Sequence, residues 1–256
     1  MVNVLVCVKR VPEATNEVVL TPDGMTVDGR YVGYTTSPHE ECAVELATQI
    51  AATGGTSTVL TLGPAESVEQ LRAALAVGVD SGVLIEADAD SFGPADVARA
   101  IAEVVRSRGG DAAAAYDLVL VGNDAGDTGD FQVGVRLGYA LDWPVVAGIS
   151  TIEIGEGTAS LVSDTLEGTL VYDVALPAVV TVLEGGVAPR YPSLVGRMKA
   201  KRAPVEIVTP SFEPVGSGRI SLTVPPPPPN EVRILGEGPG AAAAVVATLH
   251  YLGVTR

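Results

Sequence analysis

The chain has 256 residues, 47% of them hydrophobic and 18% charged, and its 31 acidic against 16 basic side chains give a formal charge of −15. That length supports one large α/β domain, alone or with an appendage. The acidic balance excludes nucleic acid as a main partner, because phosphate binding draws on clustered Lys and Arg. Two cysteines, Cys7 and Cys42, supply neither a disulfide framework nor a metal pattern and fit a reducing compartment. Met1 leads straight into a strand without the basic and long apolar regions of a signal peptide, and no apolar run reaches membrane-spanning length. A cytoplasmic protein without direct membrane insertion is therefore expected.

Val2 to Val8, VNVLVCV, is an apolar, β-branched run that predicts a buried strand. Lys9 and Arg10 follow at its carboxyl end, where α/β sheets receive ligands, although two solvated charges would look the same. Val18 to Val32 carries two β-rich pieces around Thr21-Pro22-Asp23-Gly24, a turn that predicts a hairpin excursion. Ser37 then caps a helix through Ala47, with Pro38 in its first position and Glu40 and Glu41 in its first turn. Strands over Thr56–Leu62, Gly82–Glu86 and Tyr116–Val121 alternate with helices over Glu66–Val77 and Pro94–Arg108. Strands separated by helices at this spacing require a parallel sheet with right-handed crossovers. The expected class is α/β, a Rossmann-like parallel sheet with helices on both faces, plus an antiparallel β extension and a C-terminal arm.

After Gly122 comes an acidic loop, Asn123-Asp124-Ala125-Gly126-Asp127-Thr128-Gly129-Asp130, and then a helix over Gln132–Leu141 with Val133, Leu137 and Leu141 on one face. No Lys follows its glycines, so it is neither a P-loop nor a dinucleotide fingerprint. Thr128 or Asp130 is placed to cap the helix, leaving the N–H groups of Gln132, Val133 and Gly134 for an anion. Three aspartates repel a phosphate unless they face sugar, base or solvent. An ordinary strand-to-helix connection is the alternative. A divalent metal on Asp124, Asp127 and Asp130 is a third reading, and their spacing lacks the alternation and terminal Glu of a calcium loop, so no metal site is expected. The loops after Val8, Leu62 and Val121, with the first helix start at His39, converge on one candidate nucleotide pocket.

Past Pro144 the pattern changes. Ile149–Ile154, Ala159–Thr165 and Thr169–Ala175 alternate as antiparallel strands, a β-meander within 145–175, and Leu176–Leu183 returns as a buried strand. Glu184 to Glu206 gathers Arg190, Arg197, Lys199, Lys201 and Arg202 around Tyr191, Leu194 and Met198. Prolines at 189, 192 and 204 predict a presented loop followed by a short segment, either a docking surface or solvated charge at a boundary. Pro225 to Pro229 predicts a stiff polyproline spacer, followed by a Gly-rich break and an apolar helix from about Ala241 to Leu252 that must dock on the chain's own domain or on a partner.

Pro189-Arg190-Tyr191-Pro192-Ser193-Leu194, followed by Met198-Lys199-Ala200-Lys201, resembles the signature of the electron transfer flavoprotein β subunit. The likeness extends over residues 1–208 through the VLVCVKRVP opening, the Ser37-Pro38 helix start, Gly63-Pro64-Ala65, Leu141-Asp142-Trp143-Pro144 and Leu176-Pro177-Ala178-Val179. It implies a nucleotide-binding domain over 1–208 and an arm over 209–256 that wraps an α subunit in a heterodimer. It also implies FAD shared with, and mostly on, that α subunit, and AMP in this one, or a second FAD as in the electron-bifurcating relatives. Carried over by position, the nucleotide would meet Cys7, Ser37, Pro38, His39, Glu40 and Leu62, and the run from Gly122 through Asn123, Asp124, Ala125, Gly126, Asp127, Thr128, Gly129, Asp130, Phe131, Gln132 and Val133. The same likeness makes Ala188 to Arg197 the partner-recognition loop, with Arg190, Tyr191, Leu194 and Met198 binding and Leu194 the anchor that enters an apolar pocket on a dehydrogenase. His39 falls near the flavin, and Asp164 where an acid steadies the flavin-bearing domain. The implied role is an electron carrier without catalytic residues of its own, between flavin dehydrogenases of the acyl-CoA type and a membrane-linked quinone oxidoreductase.

The chain also departs from the family pattern. An Asn commonly stands where Ser37 does and an aromatic where His39 does, and the family loop after Gly122 opens Lys-Gln-Ala-Ile-Asp. A single-chain adenine-nucleotide sensor remains a competing class, but it leaves 188–197 without a purpose. A nucleotide-dependent enzyme remains another, without a Cys/His pairing or metal motif in the sequence to support it.

Overall fold

The computed structural model describes residues 1–13, 18–109, 115–226 and 232–255. In chain order its elements are β1 (Val2–Cys7), β2 (Val11–Pro12), β3 (Tyr34–Thr35), α1 (Pro38–Ala52), β4 (Gly55–Gly63), α2 (Val68–Val77), β5 (Ser81–Glu86), α3 (Pro94–Arg108), β6 (Leu118–Gly122), α4 (Val133–Leu141) and β7 (Val145–Ile149). There follow β8 (Thr151–Ile154), β9 (Thr158–Thr165), β10 (Gly168–Ala175), β11 (Ala178–Val182), α5 (Leu194–Arg202), β12 (Val205–Val208) and α6 (Ala242–Tyr251).

Seven strands form one parallel sheet in the order β12-β5-β4-β1-β6-β11-β7. Successive side chains of a strand point to opposite faces, and β1 divides accordingly. Val4 and Val6 join α1 and α2 on one face with Val59, Leu71 and Leu120. Leu5 and Cys7 join α3 and α4 on the other with Leu60, Ile101, Val119 and Leu137. Burial on both faces is why these strands read as continuous apolar runs. The fold is the α/β, Rossmann-like arrangement expected from the sequence.

The strand order places a switch point at β1. From β1 the chain moves through α1 to β4 on one side, whereas from β6 it moves through α4 to the other side. Open α/β sheets hold ligands in the crevice outside the carboxyl ends of such strands. Here that crevice receives the loops after Cys7 and Gly122 together with the start of α1.

Several elements differ from the sequence expectation. Val145–Ile149 is a parallel edge strand of the main sheet, and only β8, β9 and β10 form the separate antiparallel sheet. The apolar run at 145–147 was too short to reveal its partner β11, some thirty residues later in sequence. Within the expected loop and short segment, residues 194–202 form a helix, because Pro192 precedes it and Pro204 follows it, so neither proline lies inside. The excursion at 18–32 holds one bridge, Leu20 with Val27, and a 3-10 turn at Gly29–Tyr31.

The chain divides into two compact units, Met1–Leu222 and Thr223–Arg256. The first extends past the boundary expected at residue 208. Asp96, 5% exposed, accepts the N–H groups of Val215 and Gly216, Ser211 bonds Glu103, and Phe212 packs on Phe92 and beneath Arg99. Burial opposes ionisation of Asp96, but the N–H donors of Val215, Gly93 and Gly216 hold its carboxyl below the usual range. In the second unit, Ala242–Tyr251 is helical as expected and leaves Val246, Tyr251 and Leu252 exposed. Prolines 227 to 229 of the expected spacer lie outside the described residues.

Candidate functional site

The start of α1 is fixed by its own sequence. Ser37 accepts the N–H of Glu40, and the Glu40 carboxylate accepts the N–H of Ser37 at 2.8 Å, a capping box with Pro38 in the first turn. The other Glu40 oxygen accepts the N–H of Lys9 at 2.7 Å, so one buried carboxylate ties the loop after β1 to the start of α1. Burial pushes Glu40 up to about 7, against the pull of the Ser37 and Lys9 N–H groups. Gly122 lies directly above it: a Cβ there would come within 2.7 Å of Glu40 Cγ. Cys7, buried at the end of β1, has its thiol raised by burial and by the neighbouring Glu40 charge. Leu62, half-buried near the end of β4, packs against the cluster that holds Leu5, Cys7 and Leu60.

The acidic loop folds back over this floor. His39 Nδ1 accepts the N–H of Glu184 at 2.9 Å, and its Nε2 lies 2.8 Å from Asp124 Oδ1. An imidazole that accepts at Nδ1 carries its proton at Nε2, so His39 donates to Asp124. Lys9 Nζ pairs with Asp127 Oδ1 at 2.7 Å. Two of the three loop aspartates are thus turned to donors of the crevice, the Lys9 ammonium and the His39 Nε2–H, which eases the charge conflict seen in the sequence. Among the described residues no group of three or more His, Cys, Asp or Glu side chains is placed to hold a metal ion.

Asn123 is held by Thr181 Oγ1, which donates to its side-chain oxygen at 2.7 Å, and by its own N–H to Val182. Ala125 O accepts the N–H of Gly129, closing a tight turn around Gly126 and Asp127. Thr128, Gly129 and Asp130 are exposed, and neither Thr128 nor Asp130 caps α4. The chain instead enters the helix through Phe131, exposed at a positive φ of 53°, and Gln132, whose side chain turns forward to Arg136. The amides of Val133 and its neighbours therefore begin a helix with no side-chain cap, a geometry that receives anions.

The sequence did not point to three further contributors. Thr181 sits in the middle of a buried run, Asp90 follows β5, and Arg219 lies in the tail. Asp90 has its carboxyl raised by burial and by Asp88, and it feels Arg219, Lys9 and Asp127. A charged residue just past a parallel strand was the only available signal for it.

About two turns further along α1, at Glu45, the expected docking residues gather separately. Arg190 donates from Nε and Nη2 to the Glu45 carboxylate, both at 2.7 Å, and its own N–H reaches the same group at 3.2 Å. Glu45 is 4% exposed, and these Arg190 bonds hold its carboxyl below the usual range. Tyr191, Leu194, Val195 and Met198 are exposed, at 95%, 76%, 62% and 57%. Asp164, on β9, accepts from Thr169 and Ser150.

Comparison with known proteins joins the two regions in one lineage. Residues 24–213 match the electron transfer flavoprotein domain. The electron transfer flavoprotein subunit beta of Bacillus subtilis is 36% identical over 208 residues, 80% of this chain and 77% of that protein. That of Syntrophomonas wolfei is 35% identical over 206 residues, 79% of this chain and 77% of that protein. The chain belongs to the electron transfer flavoprotein family, as a β subunit. The human electron transfer flavoprotein subunit beta is 35% identical over 215 residues, 81% of each chain. The family match spans the start of α1, the Gly122 loop and the exposed segment around Leu194. No described helix is long and apolar enough to cross a membrane.

Proposed function

We propose that the chain carries electrons as the β subunit of a heterodimeric electron transfer flavoprotein, in the cytoplasm, between flavin dehydrogenases of the acyl-CoA type and a membrane-linked quinone oxidoreductase. In this reading FAD is held mostly by an α subunit and AMP occupies the Gly122 crevice. FAD supplies the redox chemistry when bound, taking up and releasing electrons singly or in pairs. This chain contributes binding and positioning. The residues fit an adenine nucleotide: the crevice lies at the switch point, Gly122 leaves no side chain over Glu40, and the uncapped start of α4 offers amides to a phosphate. Lys9 and His39 are already partnered by Asp127 and Asp124, so in this reading the amides rather than these side chains receive the phosphate. The C-terminal arm, expected over 209–256, then covers part of the α subunit.

The observation that carries the reading is the exposed set of Tyr191, Leu194, Val195 and Met198 in a member of this family. A carrier must offer a surface on which a dehydrogenase docks and from which it leaves. The test is to co-express the chain with its α subunit, purify the heterodimer, denature it and quantify the released nucleotides by chromatography. One FAD and one AMP per heterodimer is the expected result. Two FAD would instead make this an electron-bifurcating member, and absence of both a complex and a flavin would overturn the reading in favour of a single-chain nucleotide sensor.

A further inference from the structure

The segment between β11 and β12 must cross from one side of the sheet to the other, five strand spacings or about 24 Å. On the way it passes along α1 in register. Glu184 N–H bonds His39, Val187 O accepts from Cys42 Sγ at 3.4 Å, and Arg190 N–H bonds Glu45, each partner lying 145 positions away in sequence. His39, Cys42 and Glu45 form one i, i+3 row on the helix. The crossover is therefore seated step by step on α1, and its last step, at Arg190, is also its strongest. Two side-chain nitrogens and the backbone N–H of Arg190 converge on one buried carboxylate that Gln49 also orients.

The far end of the segment is held as well. α5 packs on α2, Ala200 is 3% exposed, and Arg72 donates to the Ala200 carbonyl. Gly196 lies against the Ala76 carbonyl so closely that a Cβ would reach it at 2.2 Å. Between these two fixed ends stand Tyr191, Leu194 and Val195, whose apolar surfaces face solvent. Solvent-exposed apolar side chains gain nothing within the chain from being held still, so the restraint serves whatever binds them.

We propose that Glu45 is a positioning residue for partner docking: through Arg190 it holds the crossover so that Leu194 is presented in a fixed place. This rests on the reading of residues 188–197 as the surface that meets a flavin dehydrogenase. Glu45 does not touch the partner. Without its carboxylate the crossover loses its last seat on α1, and the dehydrogenase must order the segment itself on binding.

The test uses the purified α/β heterodimer as electron acceptor for a flavin dehydrogenase, comparing wild type with Glu45→Gln, Arg190→Lys and Leu194→Ala. Glu45→Gln keeps the shape of the side chain and removes the charge. Arg190→Lys keeps the charge and removes the fork that meets both oxygens. Truncating an interface anchor typically costs about thirtyfold in affinity, and Leu194→Ala is expected to raise the KM for the carrier by that order. Glu45→Gln and Arg190→Lys are each expected to raise it about tenfold, with kcat held and one FAD retained per heterodimer. If Leu194→Ala raises KM while both latch variants leave it unchanged, Glu45 has no positioning role and the docking surface stands. Should Leu194→Ala itself have no effect on KM, the docking reading fails and this inference fails with it. Loss of flavin or of the heterodimer in both Glu45→Gln and Arg190→Lys would make the pair a stability element and overturn the proposal.

Discussion

Glu40 gives the sharpest prediction, because its environment sets both the sign and the size of the effect. The carboxyl lies 5% exposed beneath Gly122 and ionises near 7, against an ordinary value of 4.5. Below pH 4.5 the group is protonated in folded and unfolded chains alike. As pH rises through 4.5 the unfolded chain loses the proton and the folded chain keeps it, so stability falls until about pH 7 and then levels off. At about 1.4 kcal/mol for each tenfold in acidity, the total loss is ~3 kcal/mol. Glu40→Gln has no proton to lose, so wild type should decline relative to the variant by that amount between pH 4.5 and 7.5. Urea denaturation of the purified 256-residue chain at a series of pH values, followed by far-ultraviolet circular dichroism, measures the difference directly. A gap between the two proteins that stays constant with pH would refute the assignment of burial as the dominant influence on this carboxyl.

Two further expectations concern the crevice. Gly122→Ala places a methyl 2.7 Å from Glu40 Cγ, and because both Glu40 oxygens are fixed by N–H groups the side chain has nowhere to move. Strain of about 1–3 kcal/mol is expected, seen as a lowered Tm, and an unchanged Tm would mean that the Glu40 clasp is soft. Asp127→Asn removes one rim charge and releases Lys9. Removing one negative charge from the rim favours an anion in the crevice, and a tenfold change corresponds to about 1.4 kcal/mol, so calorimetry should find AMP bound more tightly to the variant heterodimer by about that order. Equal or weaker binding would place the phosphate away from this rim.

The parallel sheet was legible because its strands are buried on both faces, and that environment writes itself as uninterrupted Val, Leu and Ile. β1 and β6 are the clearest cases, and the switch point between them followed once the order of strands and helices was known. The capping box at Ser37 and Glu40 was half legible. Ser-Pro-x-Glu announces a helix start, but nothing in the sequence reveals that the same glutamate also receives the Lys9 N–H, a contact between segments 31 residues apart. The pairing of His39 with Asp124 and of Lys9 with Asp127 was equally hidden, which is why three loop aspartates looked hostile to any anion. β7 and β12 were missed as members of the main sheet because short edge strands carry little apolar signal. Nothing in the sequence singles out Glu45 among the acids of α1, and only the fold brings Arg190 to it from 145 residues away.

The arrangement of α1 reconciles two demands on a carrier surface. A docking site that exposes only a few apolar side chains cannot bind tightly, which suits a complex that must dissociate after each transfer. A weak site cannot also tolerate a large ordering penalty, since immobilising each long side chain costs about 0.5–1.5 kcal/mol on association. Seating the crossover on His39, Cys42 and Glu45 places that ordering in the folding of the chain, before any partner arrives. The same helix start carries His39 against Asp124 and Glu40 under Gly122. The crevice and the exposed apolar segment are therefore both tied to one rigid element, the first at its start and the second through Glu45 at its middle, and a substitution that tilts α1 should disturb both, whereas Glu45→Gln should disturb only the second.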